Sequence, residues 1–221
     1  DRGIGKSTLV YFFAKTILEK NIKNKSDDEY LRRSLVHPNF YVVAPLYDDT
    51  NKTYKNEIIV DQIRDLYRYV NLTSFDNLPK IILIDSADDL NINSSNALLK
   101  ILEEPKKNTF FFLISHQPSK LLATIRSRCI KFKFKKPIFD EFKKILILNN
   151  NNFKNDEDIE YLYDLSNGSP GIALELYIHN TSNILENFIQ ICKERKILSN
   201  KIIEFSSELS NRNDDQFSIF L

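Results

Sequence analysis

The sequence predicts an α/β fold in which a parallel sheet covered by helices is followed by a purely helical region. Three observations carry this. "GIGKST" at positions 3–8 ends the glycine-rich pattern G-x-x-x-x-G-K-[ST] and runs straight into apolar residues at helical spacing. Strand-like apolar runs then alternate with amphipathic helical ones up to about residue 135, and beyond that point only helical spacing remains.

In chain order, "KSTLVYFFAKTILEK" (6–20) is the helix that should follow a phosphate-binding loop, and 21–36 is a polar loop with room for one short helix. "NFYVVAPL" (39–46), β-branched and aromatic between prolines, is expected as a buried strand. Residues 60–71 place Ile63, Leu66, Tyr67 and Val70 at i, i+3, i+4 and i+7, the stripe of an amphipathic helix. "KIILIDSADD" is a second buried strand ending in acids, and "SSNALLKILEEP" a helix opened by a serine cap and stopped before Pro105. "TFFFLIS" is a third strand and "CIKFKF", after "SR", a short last one. Helices follow at 138–148, 156–166, 170–179 and over the long stretch from 182 to 221, with "NNNNF" (149–153) as a polar linker. The expected domains are a nucleotide-binding core over 1–135, a small helical domain over 136–180 and the start of a further helical domain over 181–221.

Reading the loop pattern backwards from Gly5, Lys6 and Ser7 puts its first glycine one position before Asp1, so the strand that feeds the loop is expected upstream. With 42% hydrophobic and 28% charged residues the balance is that of a soluble protein, and no apolar run approaches the roughly 20 residues that span a bilayer. A net charge of +1 exerts no general pull on nucleic acid, so any DNA contact must come from a local patch or from partner subunits. Cys129 and Cys192 are too few for a disulfide framework or a cysteine-built zinc module, which points to a reducing cytoplasm.

In the loop, Gly3 and Gly5 let backbone N–H groups face a phosphate. Lys6 supplies a point charge to β/γ oxygens, and the Ser7 hydroxyl, followed by Thr8, is placed for Mg²⁺. Asp85, at the carboxyl end of its strand, can reach the same metal through water. The next position is where hydrolytic P-loop proteins carry a glutamate that orients the attacking water. Here it is Ser86, too short and too weak a base, so binding without efficient turnover is expected. Asp88 and Asp89 are read as solvated or capping carboxylates. Glu103 and Glu104 close their helix where the macrodipole disfavours acids, which leaves either a solvated pair or a basic partner. Cys129 is read as a small buried hydrophobe. The alternation in "IKFKFKK" puts Ile130, Phe132 and Phe134 on one face and lysines on the other, which suits an exposed strand edge better than a DNA site.

The segments "HPNFYVV", "IIVDQIRDL", "NALLKILEEP", "TIRSRC" and "LSNGSPGIAL" occur together and in an order that resembles the delta-prime family of bacterial DNA polymerase III clamp-loader subunits, which are AAA+ proteins. The resemblance spans almost the whole chain. It implies a RecA-like AAA+ P-loop core, a small helical lid and the start of an all-α collar that holds subunits in a ring. It also implies ATP with Mg²⁺ as cofactor and, as partners, the gamma/tau and delta subunits, the sliding clamp and primed DNA, with no membrane. By the same resemblance Arg128 of "SRC" looks outward as an arginine finger into a neighbour's ATP site, and Ser115 stands at the sensor-1 position. A guanidinium suits the first role, since it forks onto phosphate oxygens and stays charged; for Arg126 a surface salt bridge is an equal alternative.

Departures from the family are informative. The zinc-binding cysteines of some relatives are absent, so no zinc is expected. Ser86 replaces the catalytic glutamate, and the sensor-2 arginine of motor subunits would fall near Ile172. Both point to a stator that binds ATP and is a weak or inactive ATPase, with a hydrolysing gamma/tau-like motor as the alternative.

Overall fold

The computed structural model describes residues 1–19, 37–50, 52–149, 153 and 155–178; the short helix expected within 21–36 and the stretch from 182 to 221 lie outside them. The chain divides into two units, one of Gly5–Lys133 and one of Asp1–Ile4 with Phe134–Leu221. The expected start of a collar at 181–221 is therefore outside the described residues.

In the first unit the elements run α1 (Lys6–Glu19), β1 (Phe40–Val43), β2 (Tyr47–Asp48), β3 (Thr53–Tyr54), α2 (Val60–Asn71), β4 (Lys80–Ile84), α3 (Ile92–Glu103), β5 (Thr109–Leu113) and α4 (Ala123–Arg128). β1, β4 and β5 form a three-stranded sheet in the order β1-β4-β5. Both pairings are parallel, with Val43 opposite Ile84 and Ile84 opposite Leu113. Parallel neighbours need crossovers, and helices supply them.

The sequence of β4 explains why helices cover both faces. Successive side chains of a strand point to opposite sides, so a central strand must be apolar throughout, and every residue of β4 is buried. Ile82 and Ile84 pack with Ile63, Leu66 and Val70 of α2 and with Leu98 and Ile101 of α3. Ile81 packs with Ala14 and Leu18 of α1, and Leu83 with Val10. This layering is that of a RecA-like α/β core.

Several local expectations are corrected. The strand expected over 39–46 is shorter, because the chain leaves the sheet after Val43 and forms an antiparallel β2–β3 pair that the sequence reading missed. The cap of α3 is Asn91, whose side chain accepts from Ser94 N; the serines lie inside the first turn, where Ser94 Oγ donates to Asn91 O. The last strand, expected in "CIKFKF", does not form. Residues 129–138 carry no regular structure, and Ile130 and Phe132 are 86% and 82% exposed. Alternation alone cannot make a strand, since its backbone groups need a neighbouring edge to pair with.

In the second unit α5 (Phe139–Asn149), α6 (Asp156–Leu165) and α7 (Pro170–Ile178) surround a small core. Phe142, Leu146, Ile159, Leu162, Ala173 and Leu176 fill it, together with Phe153. Phe153 lies in what the sequence suggested was only a polar linker; it is buried and stacks on Tyr177, with centroids 4.4 Å apart. Asn155 caps α6, and Asp156, Glu157 and Asp158 in the first turn complement its dipole. Within the same unit Gly171 N donates to Gly3 O at 2.8 Å, and Ser169 Oγ to Arg2 O. That approach requires glycine on both sides: a Cβ on Gly3 would meet Ser169 Oγ at 2.4 Å, and one on Gly171 would meet Gly3 itself at 2.8 Å.

Candidate functional site

The functional side chains of the first unit collect at the carboxyl ends of β4 and β5, facing the start of α1. A parallel sheet leaves the tips of its strands open there, which is where ligands of such folds bind. Gly5 has φ +86° and open space where a Cβ would stand, so the chain turns into α1 with its backbone uncovered. Leu9 N already donates to Gly5 O, which makes the loop the true first turn of the helix. The amides of Lys6, Ser7 and Thr8 are thus the orphan donors at the positive end of a 14-residue helix. Ser7 is half-buried and Thr8 exposed.

Lys6 sits among acids. Burial pushes its ammonium pKa down, while the charges of Asp85 and Asp88 pull it up. Asp85 follows the last residue of β4, its amide held by Val43 O at 2.9 Å. It also acts on Tyr11, one turn into α1, whose phenol is pushed up by burial first and by Asp85 second. The Asp85 charge thus acts on Lys6, and Ser7 adjoins Lys6 in the chain. A hydroxyl and a carboxylate are the hard oxygen donors that Mg²⁺ accepts beside phosphate oxygens and water, so the residues fit a nucleotide with its metal. Among the described residues no group of three or more His, Cys, Asp or Glu is placed to hold a metal ion on its own.

The other acids have structural partners. Ser86 is 7% exposed and its Oγ donates to Asp89 Oδ2 at 2.9 Å, so its hydroxyl is engaged within its own turn. Asp88 is neither solvated nor a helix cap; it pins the loop that follows β5. It accepts from Ser115 Oγ at 2.7 Å, from Gln117 N at 3.3 Å and, most closely, from His116 N. The Ser115 hydroxyl is thus turned to Asp88.

His116 was missed by the sequence reading. Its Nδ1 lies 2.9 Å from Lys6 Nζ, 110 residues away in sequence. No motif or spacing announces that contact; it arises where the start of α1 meets the end of β5.

Arg128 lies at the end of α4. Its Nη2 donates to Glu103 Oε1 at 2.6 Å and its Nη1 to Thr124 O at 2.8 Å. Of the two readings left open for Glu103, a solvated acid or a basic partner, the partner forms, with the Glu103 side chain still 50% exposed. Arg126 Nε is buried and has no hydrogen-bond partner. Cys129 packs against the main core as a half-buried, not the expected fully buried, hydrophobe, and burial raises its thiol pKa. Ile172 packs on the core of the helical unit.

A family model described as "DNA polymerase III, delta subunit" matches residues 1–138. The delta-prime subunit of DNA polymerase III from Pseudomonas aeruginosa is 44% identical over 95 residues, covering 43% of this chain and 27% of its own. That from Escherichia coli is 30% identical over 180 residues, covering 79% and 52%. The gamma subunit of DNA polymerase III from Buchnera aphidicola subsp. Schizaphis graminum is 38% identical over 183 residues, covering 80% and 49%. The chain thus spans about half or less of the length of these curated relatives. No described helix is long and apolar enough to cross a membrane.

Proposed function

The chain belongs to the DNA polymerase III delta-subunit family, and from that premise we propose that it is a clamp-loader subunit that binds ATP with Mg²⁺ and acts as a stator in DNA replication. In this reading the amides from Gly5 to Thr8 cradle the phosphates, Lys6 meets the β/γ oxygens, and Ser7 and Asp85 hold the metal. Ser115, its hydroxyl held by Asp88, takes the sensor-1 position, and Arg128 reaches a neighbouring subunit's nucleotide in trans. The partners are gamma/tau and delta subunits, with the sliding clamp and primed DNA bound by the assembled complex in the cytoplasm. The observation that carries the nucleotide reading is the open glycine turn at Gly5, φ +86° with nothing where a Cβ would stand, leading straight into α1 and Lys6.

Ser86 supports a stator over a gamma/tau-like motor. A hydroxyl that already donates to Asp89 and has no basicity near neutral pH cannot activate water.

The test is calorimetry of ATP–Mg²⁺ binding by the full-length protein, wild type and Lys6→Ala, with single-turnover hydrolysis measured beside it. Lys6-dependent binding with turnover far below a typical enzyme's rate of roughly 10 per second is expected. Binding that survives Lys6→Ala would remove the nucleotide from this loop. Motor-like turnover by the isolated protein would overturn the stator assignment.

A further inference from the structure

We propose that His116 and a nucleotide phosphate compete for the Lys6 ammonium, so that His116 sets how tightly this P-loop holds its ligand. The inference rests on the nucleotide-binding reading above and adds a regulator to that site. Lys6 Nζ stands 2.9 Å from His116 Nδ1. An ammonium only donates, so Nδ1 is the acceptor and the ring is neutral with its proton on Nε2. The contact is built rather than incidental, because the backbone that carries the ring is clamped. Asp88 accepts from the amides of His116 and Gln117 and from the Ser115 hydroxyl, tying the end of β5 to the turn after β4. With its backbone fixed, the imidazole can move only by rotating its side chain.

A phosphate presents full charge and several oxygens, and its hydrogen bonds to an ammonium are stronger than those of a neutral ring nitrogen. An ammonium has three donors, so the competition is one of position: the phosphate draws Nζ to itself and off His116 Nδ1. The bond that is broken subtracts from the affinity the loop would otherwise reach. Asp88 is a positioning residue in this arrangement, and it remains in place while the ring turns away.

The experiment is calorimetry on the full-length protein with three probes: ATP–Mg²⁺, inorganic tripolyphosphate and adenosine. His116→Ala should bind ATP and tripolyphosphate roughly threefold to tenfold tighter than wild type, the range that one net hydrogen bond supplies. Adenosine, which offers Lys6 no phosphate, should bind all forms alike. His116→Asn keeps an acceptor near the Nδ1 position and should stay close to wild type. His116→Phe fills the ring's volume without an acceptor and should follow His116→Ala, which separates competition from a packing defect. Lys6-dependent ATP binding that is unchanged or weaker in both His116→Ala and His116→Phe overturns the competition while leaving the nucleotide reading intact. The absence of Lys6-dependent ATP binding in every form overturns both.

Discussion

Arg128 and Glu103 form an ion pair, Nη2 to Oε1 at 2.6 Å, that joins the last turn of α4 to the last turn of α3. Side-chain exposures of 33% and 50% leave both ends in contact with water. Such a pair contributes no more than about 1 kcal/mol, so it can orient the guanidinium without holding it against a stronger anion.

Arg128→Ala should therefore leave thermal stability and assembly nearly unchanged, with a loss of about 1 kcal/mol or less. If the guanidinium completes a neighbour's ATP site, the damage appears in clamp- and DNA-stimulated hydrolysis by the reconstituted complex. Trans arginine fingers contribute on the order of 10³–10⁵ in rate at their own site, and the total loss should be partial because only one site adjoins this subunit. Arg128→Lys should not rescue it, lacking the forked donors. Equal stimulated rates in all three proteins would make the Arg128–Glu103 pair purely structural.

Lys80 is a second cation with a structural duty. It opens β4, is 4% exposed, and its Nζ donates to the carbonyls of Tyr69, Val70 and Leu72 at 2.7, 3.2 and 2.6 Å. Those carbonyls lie at and just past the end of α2, where the helix leaves acceptors over; Tyr69 O is shared with the Leu72 amide at 3.2 Å. Lys80→Met keeps the stem and removes the donors, and should cost about 2 kcal/mol, the scale of a hydrogen bond to a charged group. Urea unfolding monitored by circular dichroism measures it. An unchanged midpoint would show that water replaces the ammonium.

The acidic side of the stability profile should carry a contribution from His116. Its pKa is held below the usual 6.5, by burial first and by the Lys6 charge second, with Asp88 and Asp85 opposing. The unfolded chain takes up a proton near pH 6.5 and the folded chain only at lower pH. The folded state therefore loses stability as pH falls through about 6.5 toward the folded value, and the effect levels off below it. His116→Asn removes the titration, so its stability should fall less than that of wild type between pH 7.5 and 5. Parallel pH profiles of the two proteins would contradict this environment for the ring.

The helical unit depends on one aromatic centre. Phe142 is fully buried and meets Tyr163 edge-on, with centroids 5.0 Å apart at 84°. Phe142→Ala should cost about 3–5 kcal/mol, the transfer of the ring plus the cavity it leaves. Calorimetric melting that moves little would mean that the core around Leu146 and Leu162 collapses into the gap.

The sequence by itself determined the elements whose cause is local. Apolar side chains at 3.6-residue spacing make α2 where residues 60–71 place them, and an unbroken apolar run bounded by turns makes β4 a central strand of a parallel sheet. The glycine turn at Gly5 and the helix it opens were legible for the same reason, since their spacing is contiguous. Tertiary structure decided what depends on a distant partner. "CIKFKF" alternates like a strand but has no edge to pair with, Phe153 reads as linker until α6 and α7 enclose it, and Lys80 is an ordinary surface cation until α2 ends above it. The meeting of Asp88, Ser115, His116 and Lys6 is of this kind as well. It follows from the register of two parallel strands and the crossing of α1, and a hydrogen bond between residues 110 positions apart leaves no periodicity in the chain to be read.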